Sequence, residues 1–317
     1  MQKFLYMIAY FRLIRPVNLL IMALTQYLVK YCIIGPFMSV AGVDIQMSHV
    51  DFALFVFSNL LLAAAGYAIN DYFDVDVDSV NKPDKNMLLE KIPRKHAVTF
   101  NIILNVIACI IGFYCAIKVG SFKLGFISVV ISLVLYYYSL KYKRQFVTGN
   151  IVLALVAAYC VLSVWLFEFF AIKSDPDAFI GMMRTFRIIT VFAGGFAVFA
   201  FLTTFIREII KDMEDIEGDN ACGCHTIPIQ KGMGFTKKMV AGLNGLTMLL
   251  LAAAQLLLYE HYPMLTWYLC VLQILFINLI IKILRSKSKS DYHFSSVYIK
   301  IIMVAGILST QLLYIYF

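Results

Sequence analysis

Runs of about twenty apolar residues, separated by short charged loops, leave this chain few ways to fold. About twenty such residues, wound as a helix, cross the hydrocarbon core of a bilayer. Nine runs fall at roughly 17–37, 52–70, 97–117, 122–140, 150–171, 187–206, 239–259, 264–284 and 297–316 of the 317 residues. In lipid, backbone polar groups must be satisfied internally. The runs therefore predict an all-α membrane protein, with nine transmembrane helices in one bundle and a single domain over residues 1–317. The chain is 62% hydrophobic and 15% charged, whereas soluble domains are about 45–50% apolar and about 25% charged. Residues 1–15 carry Lys3, Arg12 and Arg15 without a small-residue cleavage pattern, so no cleavable signal peptide is expected. The same segment alternates apolar and basic residues and reads as lying on the inner leaflet. The seven cysteines are mostly scattered inside apolar runs, as small buried side chains rather than a disulfide framework.

Twenty of the 27 Lys and Arg residues fall in the N-terminal segment and the loops after the second, fourth, sixth and eighth runs, against five in the alternate loops. Positive charge is retained on the cytoplasmic side. The bias predicts a cytoplasmic N-terminus and an outward C-terminus. The net charge of +8 then reflects topology and implies no nucleic-acid partner.

Residues 70–78 read Asn-Asp-Tyr-Phe-Asp-Val-Asp-Val-Asp, four aspartates in nine residues, directly after the uncharged stretch 52–69. A charge at the bilayer centre costs about 2.5–3.5 kcal/mol on insertion scales. Acids at the end of a span therefore mark a surface site with counter-ions. Asp71, Asp74 and Asp78 are spaced Asp-x2-Asp-x3-Asp, and Asp212, Asp215 and Asp219 repeat the spacing after the sixth run. Steps of three and four keep side chains on one helical face. Two such faces, opposed, suit divalent cations held against a diphosphate. Mg²⁺ in particular takes oxygen ligands from one or two carboxylates plus substrate phosphates. Asn70 adds a neutral amide at the boundary, and Asp76 falls out of phase. The plainer alternative is a solvated loop whose acids balance Lys82, Lys85, Lys91, Arg94 and Lys95.

Arg207, Lys211 and Asp215 follow an i, i+4, i+8 course. That is the pattern of a salt-bridged helix, worth about 0.2–0.5 kcal/mol per pair. Beside a metal site, the same cations suit an anionic phosphate. The fourth run ends in Tyr136-Tyr-Tyr-Ser-Leu-Lys-Tyr-Lys-Arg144. This reads either as an aromatic belt with positive-inside residues or as a site element, with a Tyr near a cationic intermediate and Lys143 on a phosphate. Cys222-Gly-Cys224-His225 has neither a standard zinc spacing nor a second ligand pair. Glu168, Lys30 and Lys300 lie inside runs, where charged residues snorkel, pair or line a cavity.

Together these residues resemble the UbiA-type intramembrane prenyltransferases. Asn70-Asp71-x2-Asp74-x3-Asp78, followed by Asn81-Lys82-Pro83-Asp84-Lys85, looks like that family's first motif. Asp212-x2-Asp215-x3-Asp219, followed by Thr226-Ile227-Pro228, looks like its second. Tyr138-Ser139 with Lys143, then Gly149-Asn150, is similar to the motif between them, and Arg15-Pro16-Val17-Asn18 to the N-terminal signature. The run Asn86-Met87-Leu88-Leu89-Glu90 departs from the Arg-Pro-Leu-type continuation the family often has. The second motif is most similar to the branch of geranylgeranylglycerol-phosphate geranylgeranyltransferases. Homogentisate prenyltransferases and chlorophyll synthases share its Glu-Gly-Asp ending, so an aromatic acceptor is the alternative.

The resemblance implies an enzyme of lipid biosynthesis. It would transfer a prenyl group from an isoprenoid diphosphate, geranylgeranyl diphosphate by branch, to a lipid-soluble acceptor, with Mg²⁺ as cofactor and membrane lipids as surroundings. Two Mg²⁺ ions would bridge the diphosphate to Asp71, Asp74, Asp212 and Asp215, with Asp78 and Asp219 in support. Lys143, Arg207 and Lys211 would bind the diphosphate, and Asn70 and Tyr138 would stabilise the carbocation. The active site would face the cytoplasm, and no protein partner is implied. The alternative of another class is a cation transporter using the acid clusters. Transporters place ionisable groups near mid-bilayer on broken helices, whereas these acids sit at helix ends on one side.

Overall fold

The computed structural model describes residues 9–81 and 93–317. Lys3, and residues 82–92 with Lys82, Lys85, Lys91 and the departing run after the first motif, lie outside them. Among the described residues, nine helices are long and apolar enough to cross a membrane, and all regular structure is helical. The principal elements are α1 (Pro16–Val40), α2 (His49–Phe73), the short α3 (Val75–Asn81), α4 (Arg94–Lys118), α5 (Gly125–Leu140), α6 (Thr148–Lys173), α7 (Phe186–Glu214), the short α8 (Ile216–Ala221), α9 (Ile227–Leu258), α10 (Pro263–Arg285) and α11 (Lys289–Leu308).

Three spanning helices outrun the hydropathy-based boundaries. α7 continues to Glu214 instead of ending near 206, because Arg207 and Lys211 are paired along the helix with Glu208. α9 begins at Ile227, not near 239. Pro228 sits in its first turn, where the missing N–H costs nothing, and Gly232 kinks the polar lead-in at φ 80°, ψ 159°. α11 begins at Lys289, not near 297, under a capping box formed by Ser288 and Asp291. Its polar Ser295 and Ser296 are buried, with Ser296 donating to Glu214 on α7. Hydropathy alone misses these stretches because their polar side chains find protein partners.

α7 is the central element. Its residues enter both large apolar clusters, one shared with α1, α2, α6 and α10, the other with α6, α9, α10 and α11. α2 packs on α4 and α5, α9 on α10, and α11 on α7 and α10. Outward-facing residues such as Leu249, Leu256 and Leu257 are exposed and apolar, as a lipid-facing surface requires.

The α1–α2 loop end is closed by an ion pair. Gly35-Pro36 lies within α1, and proline cannot donate the backbone hydrogen bond of a regular helix. The preceding residues Val29–Ile34 form a π turn in which Gly35 N–H reaches Lys30 O. Lys30 is fully buried there. It donates to Glu168 Oε2 at 3.2 Å and to Met47 O at 2.9 Å. Glu168 Oε1 accepts the Gln46 and Met47 amides at 2.6 and 3.2 Å. Of the three possibilities for these residues, pairing is the observed one. Lys30→Met strands a buried carboxylate and should cost about 3–5 kcal/mol, seen as a lower thermal unfolding midpoint in detergent. Adding Glu168→Gln removes the charge but keeps an acceptor for the two amides, and should recover most of the loss.

Candidate active site

Each aspartate trio spans a helix break. α2 ends at Phe73, and Asp74 takes φ −92°, ψ 0° before α3 begins. α7 ends at Glu214, and Asp215 takes φ −96°, ψ 9° before α8 begins. The backbone bonds match: Asp74 N–H to Asn70 O at 3.0 Å, and Asp215 N–H to Lys211 O at 2.8 Å. The expectation of one continuous helical face is therefore corrected. The first acid of each trio lies on the spanning helix, the middle one at the break and the last on the short helix. Asp76 is exposed on α3, away from the trio.

The breaks are tied together by a residue not assigned a site role from sequence. Asn81, the last described residue of α3, donates to Asp215 O at 2.9 Å and accepts from Gly218 N–H at 2.9 Å. A Cβ at Gly218 would lie 2.4 Å from Asn81 Nδ2, so only glycine permits this approach. Lys289 at the start of α11 donates to Asn81 O at 2.8 Å. Gly149 has a similar role. A Cβ there would meet Tyr142 O at 2.8 Å and Lys143 Cα at 2.9 Å. Its absence lets the 3-10 turn Tyr142–Arg144 sit on the first turn of α6, which fixes Lys143. His225, after α8, donates its amide to Arg144 O at 2.9 Å, joining the second motif to this turn. Gly223 adopts φ 68°, so Cys222-Gly-Cys224 is the turn that ends α8.

Beside the breaks lies a cavity of about 290 Å³. Asn70, Tyr138, Lys143, Arg207 and Lys211 all line it, together with Arg15, Tyr67, Glu208 and Lys300. Its wall continues along α2 from Asn70 back to Asn59, about 16 Å of helix, among Met22, Leu62, Leu135, Leu153 and Val156. Among the described residues, none of the six motif aspartates is part of this wall. Arg15 meets Asp71 at 2.5 Å, and Lys143 pairs with Asp74, to which Asn70 Nδ2 also donates at 2.6 Å. Asp212 accepts from Asn150 Nδ2 at 2.7 Å. Arg207 and Lys211 pair with Glu208 at 2.6 and 3.5 Å. The cations expected to face a ligand alone are thus held by carboxylates here.

Burial works against the Lys143 ammonium, but Asp74 and Asp78 outweigh it and hold its pKa above the ordinary value. The same contest favours the charged form of Arg15, through Asp71 with help from Tyr67 and Asp74. Arg15 also stands 4.9 Å from the Tyr67 ring centre and takes a left-handed backbone, φ 51°, ψ 64°. Such a conformation is costly for a side chain of this size and is kept where the surroundings over-determine it. Burial pushes Asp219 up to about 6, against the pull of Lys143. Glu208 and Arg15 were not singled out as site residues from sequence. A basic residue directly at the start of the first span was the available signal for Arg15, and Glu208 offered none beyond its place in the second motif.

The model of the UbiA prenyltransferase family matches residues 31–301. A digeranylgeranylglyceryl phosphate synthase of Methanococcus aeolicus is 31% identical over 287 residues, 89% of this chain and 93% of that protein. Among solved structures, one concerning digeranylgeranylglyceryl phosphate synthase in membranes is similar with a TM-score of 0.62 and 24% identity, covering 96% of this chain and 97% of that one. A UbiA homolog from Archaeoglobus fulgidus bound to GPP and Mg²⁺ is similar with a TM-score of 0.58 and 18% identity, over 96% and 99%.

Removing the Asn81 carboxamide leaves the buried Gly218 amide without its acceptor, a loss of about 1–3 kcal/mol. Asn81→Ala should lower the unfolding midpoint accordingly and reduce prenyl transfer by about tenfold or more, because the two breaks lose their register. Transfer at the wild-type rate would show that the clamp does not position the site.

Proposed function

Because the chain belongs to the UbiA prenyltransferase family, we propose that it transfers a geranylgeranyl group from geranylgeranyl diphosphate to the free hydroxyl of geranylgeranylglyceryl phosphate, with Mg²⁺ as cofactor. The protein is a prenyltransferase enzyme and an integral multi-pass membrane protein. The observation that carries the finer reading is a pair of matched acid-bearing breaks, clamped to each other, next to a cavity that continues along apolar side chains. The likeness to proteins named for digeranylgeranylglyceryl phosphate supports the choice of donor and acceptor. The homolog bound to GPP and Mg²⁺ supports the diphosphate and the ion.

The residues fit that ion. The donor set is all oxygen. Mg²⁺ is held by one or two carboxylates, with water and substrate phosphates completing its shell. Asp71, Asp74, Asp212 and Asp215 would hold Mg²⁺, supported by Asp78 and Asp219, and the bound ion would neutralise charge on the leaving group. The remaining steps belong to the chain. Lys143, Arg207 and Lys211 bind diphosphate oxygens. The apolar wall takes the prenyl tail and keeps water from the cation formed when the allylic C–O bond ionises. The Asn70 carbonyl dipole and the Tyr138 ring stabilise that cation; Asn70 Oδ1 has no hydrogen-bond partner among the described residues. The acceptor hydroxyl oxygen forms the new C–O bond, and its proton passes to a carboxylate or to the released diphosphate. The loop charges support a cytoplasmic N-terminus, with this site on the cytoplasmic side, and we read residues 1–317 as one domain.

Purified protein in detergent, given radiolabelled geranylgeranyl diphosphate and Mg²⁺, should convert geranylgeranylglyceryl phosphate and leave homogentisate and dihydroxynaphthoate unchanged. Product with an aromatic acceptor alone would overturn the acceptor assignment. EDTA should stop turnover. Asp71→Asn and Asp212→Asn should each lower it by at least about a hundredfold, with unfolding midpoints near wild type. Full activity in either variant would refute the roles given to the acids.

A further inference from the structure

Lys300 has no part in the reaction described above, yet it lines the same cavity. It sits on α11 within a membrane-crossing helix. Its one hydrogen bond is a long one, 3.4 Å to Asn18 Oδ1 on α1. The other four cations of the wall each have a carboxylate: Asp71 for Arg15, Asp74 for Lys143, and Glu208 for both Arg207 and Lys211. Among the described residues, no carboxylate lies within salt-bridge reach of Lys300. An ammonium in a membrane span is costly unless it is paired or faces a polar cavity.

The surroundings favour an anion. Among the described residues, five cations line the cavity and Glu208 is the single carboxylate in its wall. Thr204 Oγ1, also in the wall, has no hydrogen-bond partner among the described residues, nor does Arg207 Nε one turn along α7. Lys300 comes from α11, outside the two motif-bearing helices, and its neighbours in the wall include Met303, one turn on, and Ala200 of α7. A polar patch short of acceptors therefore adjoins an apolar surface. Lys143, Arg207 and Lys211 are assigned above to the donor diphosphate, which leaves Lys300 in the same wall for a second anion, one attached to a lipid chain.

We infer that Lys300, with Asn18 beside it, binds the phosphate monoester of the acceptor lipid and selects a phosphorylated acceptor over a neutral one. The inference rests on the reading of the acceptor given above. A phosphate monoester carries about −1.5 to −2 charge near neutral pH, and lysine binds phosphate as a point charge. Fixing the headgroup at Lys300 presents the acceptor hydroxyl to the donor in one orientation.

The test compares wild type with Lys300→Met and Lys300→Arg in detergent. Binding of geranylgeranylglyceryl phosphate, and of the same lipid without its phosphate, is measured without Mg²⁺ or donor. Steady-state transfer is measured separately. Lys300→Met should weaken binding of the phosphorylated acceptor and raise its KM by about tenfold or more, with the donor KM unchanged. The phosphate-free lipid should bind wild type and Lys300→Met alike, and Lys300→Arg should restore most of the affinity. Lys300→Gln gives the same comparison where the Met variant fails to insert. Equal binding of the phosphorylated lipid by wild type and the uncharged variants would overturn the role of Lys300 alone. So would a rise confined to the donor KM, which would place Lys300 on the diphosphate. Wild type that binds no phosphorylated acceptor would overturn the acceptor reading itself.

Discussion

Two hydrogen bonds from one carboxamide hold the site in register. Asn81 joins α3 to the start of α8, and so sets the first break against the second. The approach is possible only because Gly218 has no side chain. A helix end leaves carbonyls and amides that need partners. Here the second break satisfies Asp215 N–H within its own helix and Asp215 O and Gly218 N–H across the gap, through the Asn81 side chain. The two breaks are thereby held against each other.

Ion pairs at the two ends of the bundle differ in burial. At the α1–α2 loop end Lys30 and Glu168 are 0% and 1% exposed, a pair whose disruption leaves an uncompensated charge. At the site, Arg15 and Asp71 are 35% and 16% exposed, and Lys143 and Asp74 are 32% and 9%. These pairs are only partly buried, so water screens them more than it does Lys30 and Glu168. The buried pair is suited to permanent structure. A partly exposed pair exchanges partners more readily than the buried one, as the proposed reaction requires if Lys143 is to leave Asp74 for a diphosphate oxygen.

Much of this was legible in the sequence. Apolar runs report bilayer thickness directly, so the nine spans could be read, and repeated Asp spacing pointed to the two places where a spanning helix gives way to a short one. What hydropathy missed was the helical structure of polar stretches, at 207–214, 227–238 and 289–296, because a window average does not register side-chain pairing such as Ser296 with Glu214. Spacing gave the in-phase acids but not the breaks at Asp74 and Asp215, since a bridge-region residue costs only one turn and leaves the i, i+3, i+7 pattern intact. Burial and partners were also invisible from spacing. Lys30 and Lys300 look alike as single lysines in apolar runs, and only the fold separates a paired residue from one that faces a cavity.

The ninth span accounts for an asymmetry that the two matched break-bearing elements alone would lack. α2 with α3 and α7 with α8 repeat one design, and a site built from two copies of it would present similar surfaces to both substrates. The reaction proposed here treats them differently, since one loses its diphosphate and the other keeps its headgroup. α11 packs along α7 and touches both breaks indirectly, through Lys289 on Asn81 and through His293 and Ser296 on Glu214. Two turns from His293 the same helix places Lys300 in the cavity wall. One helix outside the repeat therefore both braces the second motif and supplies a cation that the repeat does not provide.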